Sequence, residues 1–263
     1  MIALVTGASS GIGEATARRI AREPGAMLIL VARREDRLKA LADELGCGAK
    51  VVAVDLTEDD APARVRDAVE REHGRLDLLV NNAGAAWRGR FDENGAEGVF
   101  RHMRLNFDAQ VRLTEALLPL LRRSDPSAIV NVSSVAGRIA RANSGAYSAS
   151  KFALAGWSES LHLEERAHGV HVGLVLPGFV ATEGFPQRSL RENPVTRRLV
   201  SKPEKVAEAV LDVAGGKPER YVPRAYAVAV ALRVLAPGLV RRATGGGGLM
   251  TPSTVGDAPP SPQ

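Results

Sequence analysis

Cysteine is almost missing: Cys47 is the one thiol in 263 residues, so no disulfide can form within the chain. Such a chain must hold itself together by packing, and a reducing, cytoplasmic setting is expected. Aromatic residues make up only 4%, too few to build a run of base-stacking platforms. No apolar run approaches the ~18 residues of a membrane-spanning helix, and the opening run Ile2–Val5 is too short for a secretory signal. The net charge of +5 and pI of about 9.7 raise the question of nucleic acid. The arginines are scattered, however, and form no basic stripe. They read as solvated surface with a few anion contacts, so no nucleic-acid partner and no metal are expected.

What is present is a rhythm. Apolar runs at Ile2–Val5, Met27–Ala32, Val51–Val54, Leu76–Val80, Ala128–Val132, Val170–Leu176 and Tyr221–Val222 alternate with helical patterns. The helical stretches are Gly13–Arg22, Glu35–Leu45, Ala61–Glu72, a long region ending near Leu121, Tyr147–Ala167 and Pro203–Ala214. Near-continuous apolar strands belong to a parallel sheet covered on both faces. The alternation predicts an α/β fold, a Rossmann-type doubly wound sheet of about seven strands. Residues 1–243 are read as one domain. Residues 244–263, rich in Gly, Pro and Ser, are read as a disordered tail.

The first strand runs into Thr6-Gly7-Ala8-Ser9-Ser10-Gly11-Ile12-Gly13 and then a helix. Glycines at such a junction permit a tight turn and let backbone approach a pyrophosphate, which the helix N-terminus then attracts. After the second strand stand Arg33 and Arg34, where an acid would bind a ribose 2′-hydroxyl. Two guanidinium groups suit a 2′-phosphate instead, which points to NADP(H) in preference to NAD(H). Asp55, followed by Leu56, ends the third strand, where a carboxylate can accept from an adenine amino group or cap the next helix.

Tyr147 and Lys151 lie four apart on an expected helix, hence on one face. A nearby ammonium favours the phenolate and fits the tyrosine for proton transfer. Thirteen residues earlier, Ser134 follows the fifth strand at the carboxyl edge of the sheet, where α/β ligands bind. Its hydroxyl can hold an oxygen as charge develops, and Ser133 is the competing candidate.

These residues together resemble the short-chain dehydrogenases/reductases, and the resemblance runs from Ile2 to about Val222. Gly7, Ser9, Ser10, Gly11, Ile12 and Gly13 match the family's cofactor turn. Asn81, Asn82, Ala83 and Gly84 match the stretch along the adenosine side. Pro177, Gly178, Val180 and Thr182 match the loop at the nicotinamide end, and Asn106, Ser134, Tyr147 and Lys151 match the catalytic tetrad. The resemblance implies an NADP(H)-dependent oxidoreductase acting on a carbonyl or secondary alcohol. Tyr147 would be the acid/base, and the spacing to it selects Ser134 to orient the carbonyl. Lys151 would hold the nicotinamide ribose and Asn106 a proton-relay water. It also implies a homodimer or homotetramer paired through the helix ending near Leu121 and the helix carrying Tyr147. A non-catalytic NADP(H)-binding sensor or scaffold is the alternative.

Two segments stay open. Residues 179–201 are expected to set substrate choice, with Phe179, Phe185 and Leu190 among Arg188, Arg191, Arg197 and Arg198. They read either as an apolar pocket with a basic rim or as a lid with solvated arginines. Residues 223–243 are apolar and basic, interrupted by Pro237 and ending in Arg241 and Arg242. This segment packs on the core or a second subunit, covers the cleft, or makes peripheral contact with a membrane.

Overall fold

The computed structural model describes residues 1–183 and 199–245. Its strands are β1 (Ile2–Thr6), β2 (Met27–Ala32), β3 (Lys50–Ala53), β4 (Leu78–Asn81), β5 (Ser127–Val132), β6 (Val170–Pro177), β7 (Phe179–Val180), β8 (Val200–Ser201) and β9 (Glu219–Val222). Seven of them form one parallel sheet in the order β3-β2-β1-β4-β5-β6-β9, while β7 and β8 pair separately. The expected α/β Rossmann-type sheet is therefore present. The small β7–β8 ribbon has no counterpart in the strand pattern, because two-residue strands carry no periodicity.

Successive strand residues point to opposite faces, so each strand feeds two cores. Ala3 and Val5 join Ala17 and Ile20 of α1 (Gly11–Ile20), Leu38 of α2 (Glu35–Leu45), and Val206 and Val210 of the helix Pro203–Ala214. Ile2 and Leu4 join Val65 and Val69 of α3 (Ala61–His73) and Leu113, Leu117 and Leu120 of α5 (Ala109–Leu121). Each fully buried leucine contributes roughly 1.5–3 kcal/mol of transfer free energy. On the second face, α4 (Phe91–Met103) packs against α6 (Gly145–Glu165). The helix Pro203–Ala214 is α7.

The long helical region before Leu121 is not continuous. Gly95, at φ 56° and ψ −160°, kinks α4. Between α4 and α5 the backbone widens into a π-turn at Arg104–Asp108, with the Ala109 N–H bonded to the Arg104 carbonyl. Such turns cluster at functional sites because they re-aim one side chain without ending the helix.

At the C-terminal end, α8 (Tyr226–Leu235) and α9 (Pro237–Gly245) meet at Ala236, whose φ −137° and ψ 63° are non-helical. Proline disfavours helical backbone in the residue before it and suits the first position of the helix that follows. Thr244 and Gly245 complete α9, so the helix reaches past the tail boundary expected at 244. No residue of α8 is buried. The readings placed on Phe185, Arg188, Leu190, Arg191, Arg197, Arg198 and residues 246–263 lie outside the described residues.

Among the described residues no helix is long and apolar enough to cross a membrane. Among them, too, no group of three or more His, Cys, Asp or Glu could hold a metal ion.

Candidate active site

The sheet order reverses at β1, with β2 on one side and β4 on the other. Such a reversal opens a crevice at the carboxyl ends of the strands, where nucleotides bind in this architecture. The glycine turn lies there. Gly7 and Gly11 take left-handed backbone, at φ 65° and 60°. A Cβ on Gly13 would lie 2.3 Å from the Gly7 carbonyl oxygen and 2.6 Å from Asn82 Nδ2, so only glycine allows the turn to close on the loop after β4.

Thr6 locks that loop. Its hydroxyl donates to the Val80 carbonyl at 3.1 Å and accepts from the Asn82 and Ala83 N–H groups, each at 2.9 Å. Asn82 Nδ2 donates back to the Thr6 carbonyl at 2.8 Å, and Gln110 Nε2 of α5 donates to Ala83 O at 2.8 Å. Deeper in the sheet, Asn81 Nδ2 donates to Asn131 Oδ1 on the neighbouring strand and to Thr114 Oγ1, both at 2.9 Å.

The turn and helix fit a dinucleotide. Ser10 precedes α1 in extended backbone and its side chain makes no capping bond, which leaves the first helical N–H groups directed into the crevice. Arg34 Nε and Nη2 donate to Ser9 Oγ at 3.2 and 3.1 Å, which holds the guanidinium over the turn. Arg33 Nη1 lies 3.6 Å from Asp55 Oδ2. Asp55 Oδ1 accepts from the Thr57 N–H and hydroxyl at 2.9 and 2.8 Å, so it shapes its own turn and does not cap α3. Leu56 is buried in the core. Ile12 packs partly into the core and accepts Thr16 Oγ1 on its carbonyl.

Sequence reading missed a pair at the mouth of this groove. Arg37 of α2 donates to Glu183 through two bonds of 2.5 and 3.0 Å, and Glu183 Oε1 lies 4.0 Å from Arg34 Nη1. Glu183 follows Thr182, whose methyl carbon would be 3.1 Å from a Cβ on Gly11. The loop after β6 thus leans on the glycine turn.

The residues of the expected tetrad lie after β5, on the π-turn and on α6. Ser134 Oγ donates to the Pro177 carbonyl at 3.2 Å and accepts from Ala136 N–H at 3.1 Å. It also stands near the Tyr147 hydroxyl, where it favours the phenolate. Ser133 instead donates to the Lys151 carbonyl at 3.0 Å, anchoring α6. Burial pushes the Tyr147 pKa up, against the Ser134 bond and the charge of Arg141.

Lys151 Nζ donates to the Val132 carbonyl at 2.8 Å, and burial pulls its pKa down to about 8. The cation bearing on Tyr147 here is Arg141, while the Lys151 amine turns to the strand. Asn106 sits on the π-turn, fully buried. Its Nδ2 donates to Ala85 O at 2.9 Å and Ser150 Oγ at 3.0 Å, and its Oδ1 accepts from Ala85 N–H at 2.9 Å.

Three more side chains stand near these residues without a sequence signal. His102 is buried, its Nδ1 meets the Gly98 carbonyl at 2.6 Å and its Nε2 accepts from the Trp87 N–H at 3.0 Å. That pattern fixes the neutral Nδ1–H form, and burial lowers the pKa further. The second, Tyr226, opens α8 and covers the Gly178 loop so closely that a Cβ on Gly178 would lie 2.1 Å from its Cε2. The third is Arg141, over the ring of Phe179.

A tyrosine and a serine at the carboxyl edge of a doubly wound sheet with a glycine turn resemble the short-chain dehydrogenases, whose family model matches residues 1–193. The chain belongs to that family of oxidoreductases. It is 31% identical over 261 residues to Dehydrogenase/reductase SDR family member 7B of Bos taurus, covering 92% of this chain and 79% of the relative. It is 34% identical over 214 residues to the 3-oxoacyl-[acyl-carrier-protein] reductase FabG of Vibrio cholerae, covering 80% of this chain and 87% of the other. A solved short-chain dehydrogenase from Streptomyces avermitilis superimposes with a TM-score of 0.78 at 31% identity, over 92% of this chain and 95% of that one.

Proposed function

We propose that this oxidoreductase prefers NADP(H) to NAD(H) and interconverts a carbonyl and a secondary alcohol, with Tyr147 as general acid/base. The observation that carries the reading is the position of Ser134 at the carboxyl edge of the sheet, bonded to the Pro177 carbonyl and near enough to Tyr147 to favour its phenolate. Gly7, Ser9–Gly13, Asn82, Ala83, Gly84 and the loop at Pro177, Gly178, Val180 and Thr182 would hold the dinucleotide. Arg34, fixed over Ser9 at the turn, would take a 2′-phosphate with Arg33 beside it. When bound, the nicotinamide supplies or accepts the hydride. Ser134 holds the substrate oxygen, and Tyr147 gives that oxygen its proton in reduction and takes it back in oxidation. A phenol whose pKa is raised by burial keeps its proton at neutral pH, which suits it to the reductive direction. Lys151 and Asn106 would position the ribose and a relay water.

Fluorescence titration with NADPH and NADH, then NADPH oxidation against ketones and aldehydes, tests the reading. Arg34→Ser should weaken NADPH by tenfold or more and leave NADH unchanged, since a charged hydrogen bond contributes about 1.5–3 kcal/mol. Tyr147→Phe should bind NADPH normally and lose turnover. Binding without turnover in the wild type on any substrate would favour the sensor or scaffold reading.

A homodimer or homotetramer is proposed from the family and from Phe152 and Leu163 of α6, which stand 42% and 74% exposed. Light scattering of the purified protein at a single monomer mass would refute it. For the C-terminal helices, the occupant that fits is an anionic lipid surface. Val234, Leu235 and Leu239 are 75%, 81% and 64% exposed, and Arg224, Arg233, Arg241 and Arg242 are the only charged residues of residues 223–245. Pelleting with anionic but not neutral liposomes is expected; equal recovery with both would refute it.

A further inference from the structure

Arg141 stands out from the other charges of the reaction cleft. It lies in the loop between the short 3-10 turn Val135–Gly137 and α6, with its guanidinium carbon 4.8 Å from the centre of the Phe179 ring. Arg138, three residues earlier in the same loop, pairs with both Glu159 and Glu219. Arg141 has no such partner: among the described residues, the groups whose charge reaches it are Tyr147, Tyr226 and a second cation, Arg88. No carboxylate is among them. A half-buried cation without a counter-charge is unfavourable unless an anion joins it. Burial and Arg88 accordingly pull its pKa below the usual arginine value. The stacking on Phe179 orients the planar fork, which is the geometry that binds a carboxylate or phosphate through two parallel bonds.

We propose that Arg141 is a substrate-binding residue for a carboxylate or phosphate carried by the substrate close to the reacting carbon. This deepens the proposed function and rests on it, since the placement of the anion follows from Tyr147 being the proton donor. The closeness follows because Arg141 lies over Phe179, two residues after Pro177, whose carbonyl accepts from the Ser134 hydroxyl. Phe179 and Tyr226 supply apolar surface around it. Trp87 packs on His102, whose ring centre is 6.3 Å from that of Tyr147, and Arg101 lies 4.2 Å from the Trp87 ring centre, adding positive potential towards Tyr147. The substrate class is therefore a short oxo or hydroxy acid, or the corresponding phosphate ester.

The test uses three ketones of matched length ending in a methyl ester, a carboxylate or a phosphate. Wild type, Arg141→Gln and Arg141→Lys are compared. NADPH affinity, read by fluorescence, should be the same in all three proteins. Wild type should prefer one or both anionic ketones over the ester by about tenfold to a hundredfold in kcat/KM. Arg141→Gln should abolish that preference, mainly through KM, and Arg141→Lys should restore part of it. The more favoured of the two anions identifies the group. A readout without turnover is calorimetric binding of the anionic ketone to Tyr147→Phe protein saturated with NADP⁺; adding Arg141→Gln should weaken it at least tenfold.

Equal losses on ester and anions, with a shifted pH profile on all three, would assign Arg141 to tuning Tyr147 and overturn the proposal. Calorimetric binding that ignores Arg141 would overturn it as well. Failure of every protein to bind NADPH would instead overturn the underlying functional reading.

Discussion

Lys151 offers the sharpest test of the buried site. Its side chain is 4% exposed and no carboxylate offsets its charge, so burial alone lowers its pKa from the ordinary 10.5 to about 8. Below about pH 8 the amine is charged in folded and unfolded chains alike, and the folded state bears the full desolvation cost. Between about 8 and 10.5 the unfolded chain holds a proton that the folded chain has released. Stability must therefore rise with pH across that window. One pKa unit is worth about 1.4 kcal/mol, so about 2 kcal/mol is gained between roughly pH 7 and pH 9.5.

Lys151→Met keeps the volume and removes the titration. Loss of the 2.8 Å bond to Val132 O offsets part of the gain at neutral pH, by about 1–3 kcal/mol for an unmet buried acceptor, and does so equally at both pH values. Other groups titrate identically in the two proteins. The stability of Lys151→Met relative to wild type should thus fall by about 2 kcal/mol from roughly pH 7 to pH 9.5, measured by urea unfolding without cofactor. Parallel curves, with a constant gap, would refute the buried, unpaired amine.

Thr6→Val should cost about 2–4 kcal/mol in urea unfolding, because the Asn82 and Ala83 N–H groups lose their shared acceptor; a loss below about 0.5 kcal/mol would mean water replaces it. Gly178→Ala should destabilise by about 1–3 kcal/mol through the clash with Tyr226. Tyr226→Ala in the same chain should relieve most of that loss, and additive losses would place the strain elsewhere. Glu183→Gln should tighten NADPH severalfold and leave NADH unchanged, since it removes the carboxylate that holds Arg37 and lies 4.0 Å from Arg34; unchanged NADPH affinity would show that the pair does not compete with phosphate.

The amino-acid sequence by itself determined the strand and helix alternation and the two-faced sheet. Apolar runs such as Leu28–Ala32 and Ala128–Val130 have no polar face to offer water, and the fold buries both. It also fixed where the glycine turn falls and that Tyr147 and Lys151 share a helix face, because both are matters of local spacing. Only the tertiary structure decided what distant segments do to one another. The family spacing selected Ser134, but only the fold shows what each serine touches, Ser133 the Lys151 carbonyl and Ser134 the Pro177 carbonyl. The resemblance picked out Asn106 within an expected helix, but its π-turn follows from backbone hydrogen bonds that no side-chain period announces. Arg37, Arg141 and Tyr226 carried no motif at all. Their partners Glu183, Phe179 and Gly178 are brought to them by the loop after β6, and spacing along the chain cannot report a meeting made across it.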